Sequence, residues 1–357
     1  MPGRIRFLAG WSGVQSGGIG ELATLCCARW AARTGRDAVA LFHLDPELVP
    51  SGYLAVDFFF VLSGFILTVV YEGQFAGGLT WGRFMALRAA RLYPLFLVGM
   101  VLSSSFVIQG ILRNSTGHLP LAAFVRAAAF NYLMLPSPFD GEMFPFNPPA
   151  WSLMAEVAAN FAMGIWLIRL RSGLVWVMAA AVVALWFLDA RATGGGMTLL
   201  HGLVRTLVSF TAGMLVARVT GGRRGRPGRP ALLPLAALAL LLCCQPGSAR
   251  RTYDLVVVLV AFPAIVLLAS RHDLPRIPGV LAAFIGEVSY ALYSVHTPIV
   301  HAVQFAGRAL HLPAPAVPPL FVATGLALAW ITVVAFDVPV RRLLARGALR
   351  RVPALAG

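Results

Sequence analysis

The chain has 357 residues, of which 59% are hydrophobic and only 12% charged, and its mean hydropathy is +0.79. A soluble domain of this length carries roughly 25% charged residues, because its surface must face water. The composition therefore excludes an ordinary soluble protein and predicts an all-α, polytopic membrane protein whose spans are apolar helices of about 20 residues.

Apolar stretches predict nine clear transmembrane helices and a weaker tenth that precedes them, within residues 21–43. The mixed, proline-rich sequence between 113 and 149 predicts an extramembrane or re-entrant loop. The nine clear spans thus form a multi-helix membrane domain over 45–340, after an N-terminal segment with the weak first helix over 1–44 and before a basic cytoplasmic tail over 341–357. The nine clear candidates are 55–71, 93–112, 150–168, 174–190, 199–217, 231–246, 253–270, 279–300 and 317–336.

The net charge of +15 at pH 7 comes from arginine, since the chain contains no lysine. When the loops are assigned alternately to the two sides of the membrane, seventeen arginines fall on the side of the C-terminus and six on the other. Cytoplasmic loops collect positive charge, so the asymmetry predicts a multi-pass protein of the cell (inner or plasma) membrane with a cytoplasmic C-terminus. Because the arginines lie mostly in short loops and not on a soluble basic face, no nucleic-acid partner is expected.

Polar residues mark the first two spans. An ionisable group inside a span costs at least about 2.5 kcal/mol on insertion scales, so each one suggests a function. His43 ends the weak first span near the non-cytoplasmic side, fourteen residues before Asp57 in the segment AVDFFFVLSGFIL. Histidine is the usual general base for activating a hydroxyl, although a histidine at a span end is also a common interface residue. The Ser63-Gly64 pair in the same segment allows close approach by another helix or by an acyl chain.

Two arginines enter the next span, in the segment FMALRAARLYPLF. Arg88 and Arg91 are three residues apart, so they share a helix face at the cytoplasmic entrance. Two guanidinium groups at that spacing are able to hold a phosphate or a diphosphate. The alternative is that they anchor the helix among the lipid headgroups, and the spacing alone does not separate the two interpretations.

The segment NPPAWSLMAEVAANF places an acid inside an apolar span. Glu156 has Ser152 four residues earlier on the same helix face, and Trp151 lies where aromatic belts form. A functional role for Glu156 and a structural pair with an arginine of another helix are both open.

The segment SYALYSVHTPIVH is far more polar than the neighbouring spans. Its face with Tyr290, Tyr293 and His296 must look into a protein interior or an aqueous cavity, because lipid offers no hydrogen-bond partner. A satisfied interior histidine remains the alternative for His296.

Six motifs follow one another along the chain. In chain order they are His43, VDFFFVLSGF, RAARLYP, WSLMAE, SYALYSVH and DVP, and they cover residues 43–339, most of the chain. In this order they resemble the motifs of the integral-membrane acyltransferase family (acyltransferase family 3), whose members O-acylate sugars of cell-surface polysaccharides, lipopolysaccharide and glycosylated natural products.

This resemblance implies a membrane O-acyltransferase of about ten helices. It implies acyl-CoA, specifically acetyl-CoA, as a co-substrate that arrives from the cytoplasm, with no tightly bound cofactor and no metal. The acceptor would be a hydroxyl of a glycan or glycoside reached near the opposite face of the lipid bilayer.

The resemblance also implies roles for single residues. His43, Asp57 and Glu156 are the expected catalytic residues: His43 would activate the sugar hydroxyl, and Asp57 would orient His43 or stabilise its protonated form. Arg88 and Arg91 are expected to hold the phosphates of acyl-CoA. The expected substrate cavity is lined by Ser63, Trp151, Ser152, Tyr290, Tyr293 and His296.

Two positions depart from the family pattern. The family usually has an arginine eleven residues before the histidine, where this chain has Ala32, and a glutamate where it has Asp337. The altered first helix keeps open the alternative of an inactive homologue. A further alternative is a transporter or flippase of an acyl group or of a lipid-linked glycan, in which Glu156, Glu287 and His296 would line a translocation path.

Overall fold

The computed structural model describes residues 49–113, 119–139, 141–191, 198–221, 232–270, 279–313 and 316–349. In these ranges the regular structure is helical throughout, without a strand, which confirms the predicted all-α class of membrane protein. The helices are α1 (Ala55–Ala76), α2 (Trp81–Leu112), α3 (Leu121–Asn131), α4 (Ala150–Ile165), α5 (Gly173–Arg191), α6 (Leu199–Thr220), α7 (Leu232–Cys243), α8 (Arg250–Val256), α9 (Phe262–Ser270), α10 (Gly279–Ala309), α11 (Val317–Thr332) and α12 (Val338–Leu349).

Each of the nine clear predicted spans coincides with a helix or with joined helices, and the weaker tenth lies outside the described residues. Within the part of the chain that the structure describes, fewer helical runs than predicted are both long and apolar enough to cross a bilayer, partly because some predicted spans correspond to shorter helices. For example, α4 ends at Ile165, where Trp166 leaves helical backbone angles (φ −145°, ψ −36°). Among the described residues, the five runs that are long and apolar enough are Gly52–Ala76, Trp81–Leu112, Leu199–Thr220, Gly247–Ser270 and Val317–Leu343.

Helix α3 lies in the segment between 113 and 149 that the sequence predicted as a loop. Its sequence, LAAFVRAAAFN, is rich in alanine, the strongest helix former. Pro120 stands at its N-cap, and the next proline is Pro136. The prolines therefore bound this helix and do not interrupt it.

Helices α1 and α6 pack with their backbones in direct contact. A Cβ atom on Gly64 of α1 would lie 2.0 Å from the carbonyl oxygen of Phe210, and one on Gly213 of α6 would lie 1.8 Å from that of Val61. Glycine at both positions is what permits this approach. At Gly64 the neighbour that approaches closely is therefore another helix, and the role of Ser63 in a substrate cavity stays a prediction.

A second close approach joins α2 and α10. A Cβ atom on Gly99 would lie 2.1 Å from the carbonyl oxygen of Ser294, and the side-chain amide of Asn147 donates to that same oxygen at 3.3 Å. Helix α4 packs against both α2 and α6. As a result, the inward faces of α1, α2, α4, α6 and α10 meet in one interior.

One end of this interior, at the connection between α1 and α2, is filled by apolar side chains. Tyr71 and Phe84 pack edge to face there, with ring centroids 4.9 Å apart. We call the buried apolar side chains at this end the apolar end cluster. Its buried members are Leu67, Phe84, Ala159, Met163, Leu167, Ile168, Leu174, Phe210 and Met214.

Candidate functional site

The acid of the WSLMAE motif lies at the centre of the interior, where it joins three helices. Glu156 on α4 is only 1% exposed. Its Oε1 accepts a hydrogen bond from Nη2 of Arg88 on α2 at 2.9 Å and another from the Ser63 hydroxyl on α1 at 3.1 Å. We call these three residues the Glu156 cluster. The structure thus brings together three of the residues predicted from sequence.

Several polar atoms in and beside the Glu156 cluster are buried without a hydrogen-bond partner among the described residues. They are Nε of Arg88, Oε2 of Glu156 and both amide atoms of Asn160, one turn further along α4. An unpaired buried polar group costs about 1–3 kcal/mol. A sequence selected only for a stable core would avoid this cost, so the arrangement favours a site that binds polar groups. Sequence reasoning did not single out Asn160.

A second buried group links α4 to α10, and we call it the Ser152 cluster. The hydroxyls of Ser152 and Tyr293 are hydrogen-bonded to each other. Nδ1 of the fully buried His296 lies 2.6 Å from the carbonyl oxygen of Tyr293. A carbonyl only accepts, so Nδ1 carries the proton of this bond, and Nε2 is the basic nitrogen of the neutral ring.

The other two predicted cavity residues, Trp151 and Tyr290, contact the neighbouring helices α1 and α2. Trp151 packs against Phe60 of α1, with ring centroids 6.2 Å apart. The Tyr290 hydroxyl donates to the carbonyl oxygen of Leu92 on α2 at 3.1 Å. The aromatic rings therefore tie α10 and α4 to the neighbouring helices.

The acid of the VDFFFVLSGF motif is paired inside the bundle. Nε of Arg205 on α6 donates to both carboxylate oxygens of Asp57, at 2.7 and 2.9 Å, and Nη2 of the same guanidinium also donates to Oδ2. The Ser209 hydroxyl donates to Oδ1 at 3.2 Å. These residues form the Asp57 cluster. Sequence reasoning did not single out Arg205, although its position inside a predicted span was an available signal.

Tyr53 extends the Asp57 cluster to the surface, at the end of α1 that is remote from the apolar end cluster. Its hydroxyl donates to Asp254 at 2.6 Å, and the guanidinium of Arg250 lies 4.4 Å from its ring centroid. The Arg205 guanidinium lies 5.8 Å from the same ring. The start of α1 is thereby attached to both α6 and α8.

The predicted catalytic base, His43, lies outside the described residues. Its contact with Asp57 stays a prediction. The Asp57 carboxylate would make that contact in addition to the bonds that it already accepts from Arg205 and Ser209.

The two arginines of the RAAR motif have different surroundings. Arg88 is 8% exposed and paired with Glu156. Arg91 is exposed and lines a shallow, open pocket together with Leu95, Tyr290, Asp337 and Arg341. A joint grip of Arg88 and Arg91 on one phosphate stays a prediction that this geometry does not favour.

Comparison with known proteins places these residues in a family context. Residues 30–336 match a family model described as an acyltransferase domain. The chain is 31% identical to the exopolysaccharide production protein ExoZ of Rhizobium meliloti (strain 1021) over 331 residues, which is 86% of this chain and 94% of that protein.

Two further curated proteins are similar to parts of the chain. The acyltransferase MdmB of Streptomyces mycarofaciens is 28% identical over 284 residues, 72% of this chain and 69% of that protein. Protein 2 in the picA locus of Rhizobium radiobacter is 36% identical over 143 residues, 37% of this chain and 73% of that protein. No solved structure matches the chain.

Proposed function

The chain belongs to the acyltransferase 3 family, and we propose that it transfers an acyl group, specifically acetyl, from cytoplasmic acyl-CoA to a sugar hydroxyl in a surface glycan or a glycosylated metabolite. Membership of the family makes it a membrane acyltransferase. A glycan acceptor is supported by the similarity to a protein of exopolysaccharide production. Acyl transfer is supported by the similarity to MdmB, which is named as an acyltransferase.

The Glu156 cluster is the observation that carries this proposal. It keeps an ion pair and a hydroxyl inside an apolar bundle, with Oε2 of Glu156 and Nε of Arg88 unpaired among the described residues. Burial of an ion pair gains little stability by itself, because the loss of hydration offsets most of the attraction. A role in binding a polar reactant explains why the bundle contains these polar groups.

In the proposed reaction, His43 accepts the proton of the acceptor hydroxyl, whose oxygen attacks the carbonyl carbon of the thioester. The bond between that carbon and the CoA sulfur then breaks, and the sulfur takes up a proton as CoA leaves. Negative charge develops on the thioester oxygen during attack, and hydroxyl donors stabilise such charge. Ser152 and Tyr293 are the proposed donors.

Acetyl-CoA turnover by the purified protein tests the proposal. With labelled acetyl-CoA in detergent, we expect release of CoA and movement of the label to a glycan acceptor. His43→Ala should reduce turnover by about 10²–10⁴-fold, because it removes the general base. The matched control is His311→Asn, since His311 is exposed and its positive φ of 51° suits asparagine.

Wild-type protein that leaves acetyl-CoA intact would contradict the transferase proposal and favour a transporter or an inactive homologue. A turnover that survives His43→Ala would remove His43 from the mechanism. His296, whose Nε2 is the basic nitrogen of a neutral ring, would then be the next candidate for the base.

A further inference from the structure

We propose that Asn160 binds an amide group of the acyl-CoA donor, in the pantetheine arm that carries the thioester. Glu156, one turn earlier on α4, binds the amide that is nearer to the thioester. The inference rests on the proposed function, since it names the side chains that hold the arm of the donor in that reaction.

The side-chain amide of Asn160 is buried without a partner in the described fold. The residue is fully buried, and neither Oδ1 nor Nδ2 has a hydrogen-bond partner among the described residues. By contrast, the equally buried Asn131 donates from Nδ2 to the carbonyl oxygens of Leu135 and Met143, at 3.1 and 2.9 Å. Buried polar side chains are normally hydrogen-bonded, so the amide of Asn160 indicates a polar group that binds there.

Asn160 lies at the end of a polar row along one face of α4. Ser152, Glu156 and Asn160 follow one another at intervals of four residues, so they share a helix face, and all three are buried. With a rise of about 1.5 Å per residue, Glu156 lies about 6 Å and Asn160 about 12 Å along the helix from Ser152. Beyond Asn160 the face is apolar, with Met163 in the apolar end cluster.

The unpaired atoms of this row suit an uncharged ligand that has both hydrogen-bond donors and acceptors. Oε2 of Glu156 and Oδ1 of Asn160 accept hydrogen bonds, whereas Nδ2 of Asn160 and Nε of Arg88 donate them. The Glu156 carboxylate already has the Arg88 guanidinium as its counter-charge, so a further charge here would be buried without compensation. A secondary amide, with one N–H and one C=O, matches this set of atoms.

The spacing of the row matches the spacing of the two amides in a pantetheine arm. An extended chain advances about 1.2 Å per bond, so the inner and outer amide carbonyl carbons lie about 6 and 11 Å from the thioester carbon. The proposed reaction places the thioester oxygen at the hydroxyls of Ser152 and Tyr293. The inner amide then lies beside Glu156 and the outer amide beside Asn160.

The contact between α2 and α4 is the one through which an arm can reach the row. The α1–α6 and α2–α10 contacts bring backbone against backbone at glycines, so side-chain rotation does not widen them. Between α2 and α4, a Cβ atom on Gly164 would instead meet side-chain carbons of Trp81 and Phe84, at 2.8 and 3.1 Å. Side chains change rotamer, and Trp81 is 40% exposed at the start of α2. The arm would enter there, past the apolar end cluster.

Truncated donors test the proposal with the full-length protein in detergent. S-acetylpantetheine has both amides, whereas S-acetyl-N-acetylcysteamine has only the inner one. Asn160→Leu keeps a side chain of similar size but leaves the outer amide without a partner, so kcat/KM should fall about tenfold or more with acetyl-CoA and with S-acetylpantetheine. With S-acetyl-N-acetylcysteamine, kcat/KM should equal that of wild type, because this donor has no group beside residue 160. A truncated donor that wild type does not turn over is compared as a competitive inhibitor.

Thermal stability separates ligand binding from a structural role of Asn160. Asn160→Leu should melt at or above the wild-type temperature, because it removes a buried amide that has no partner among the described residues. Asn131→Leu is the matched control. It loses two hydrogen bonds to carbonyl oxygens, so it should melt at a lower temperature and change kcat/KM by the same factor with every donor. Should leucine not fit at position 160, Asn160→Ala makes the same comparison.

The outcomes separate this inference from the proposed function. If wild-type protein turns over acetyl-CoA but the Asn160 variants leave kcat/KM for acetyl-CoA unchanged, or lower it equally for all three donors, the inference is wrong and the proposed function stands. An increase in the KM for the acceptor, with no change for the donors, would assign the row to the sugar and also overturn the inference. If wild-type protein uses no thioester donor, the proposed function fails first.

Discussion

Glu156→Gln is expected to lower kcat for acetyl transfer by at least about a hundredfold. Loss of a side chain that acts on the reacting atoms typically lowers the rate by about 10²–10⁴-fold, and the expected effect is at the lower end of this range. The substitution keeps the shape of the side chain and removes its charge. Arg88 then lies buried beside a neutral amide, and Oε2 no longer offers a carboxylate oxygen to a reactant. The measurement is the initial rate of CoA release at saturating acetyl-CoA and acceptor.

Glu72→Gln is the matched control for this variant. Glu72 also pairs with an arginine, Arg218, at 3.0 Å, but its side chain is 45% exposed, and exposed ion pairs contribute only about 0–1 kcal/mol. We expect wild-type kcat from it. A folded Glu156→Gln protein with wild-type kcat would show that the Glu156 cluster is structural only.

Arg205→Ala should destabilise the folded protein more than any other single substitution considered. It leaves the fully buried Asp57 carboxylate with Ser209 as its remaining donor among the described contacts. Breaking a buried ion pair by removal of one partner costs about 3–5 kcal/mol, a large part of a typical stability of about 5–15 kcal/mol. We expect a lower melting temperature in detergent and a loss of monodisperse protein on size-exclusion chromatography.

The double variant Asp57→Leu with Arg205→Met separates stability from chemistry. Replacing both partners of a buried pair by apolar groups of similar volume is often neutral for stability. The double variant should therefore recover most of the melting temperature lost in Arg205→Ala. It should remain inactive if Asp57 acts on His43, and Arg205→Ala protein that melts at the wild-type temperature would contradict the role of the pair.

The helices were predictable because lipid leaves few choices for the backbone. A run such as AVDFFFVLSGFIL can satisfy its peptide groups in a membrane only as a helix, and α1 covers it. Shorter elements were harder to predict. The 11-residue helix α3 is too short for a span signal, and its alanine content was outweighed by the prolines that follow it.

The pairing of the polar residues could not be read from the sequence. Arg88 and Glu156 are 68 residues apart, and Arg205 and Asp57 are 148 apart. Hydropathy and spacing indicate that such residues need partners, but they do not indicate which helices are neighbours. For Arg88 and Arg91, positions three apart on a helix differ by about 60° in direction. That difference is enough to turn one side chain into the bundle and leave the other in an open pocket.

The proposed function requires acyl-CoA to react from the cytoplasmic side of the membrane and the acceptor from the other side. Labelled acetyl-CoA, which does not cross a bilayer, can be supplied to sealed inside-out and right-side-out membrane vesicles that carry the protein and a glycan acceptor. We expect transfer of label in inside-out vesicles, whose cytoplasmic face is accessible, and transfer in right-side-out vesicles only after permeabilisation. Equal transfer in both types of sealed vesicle would contradict this two-sided arrangement.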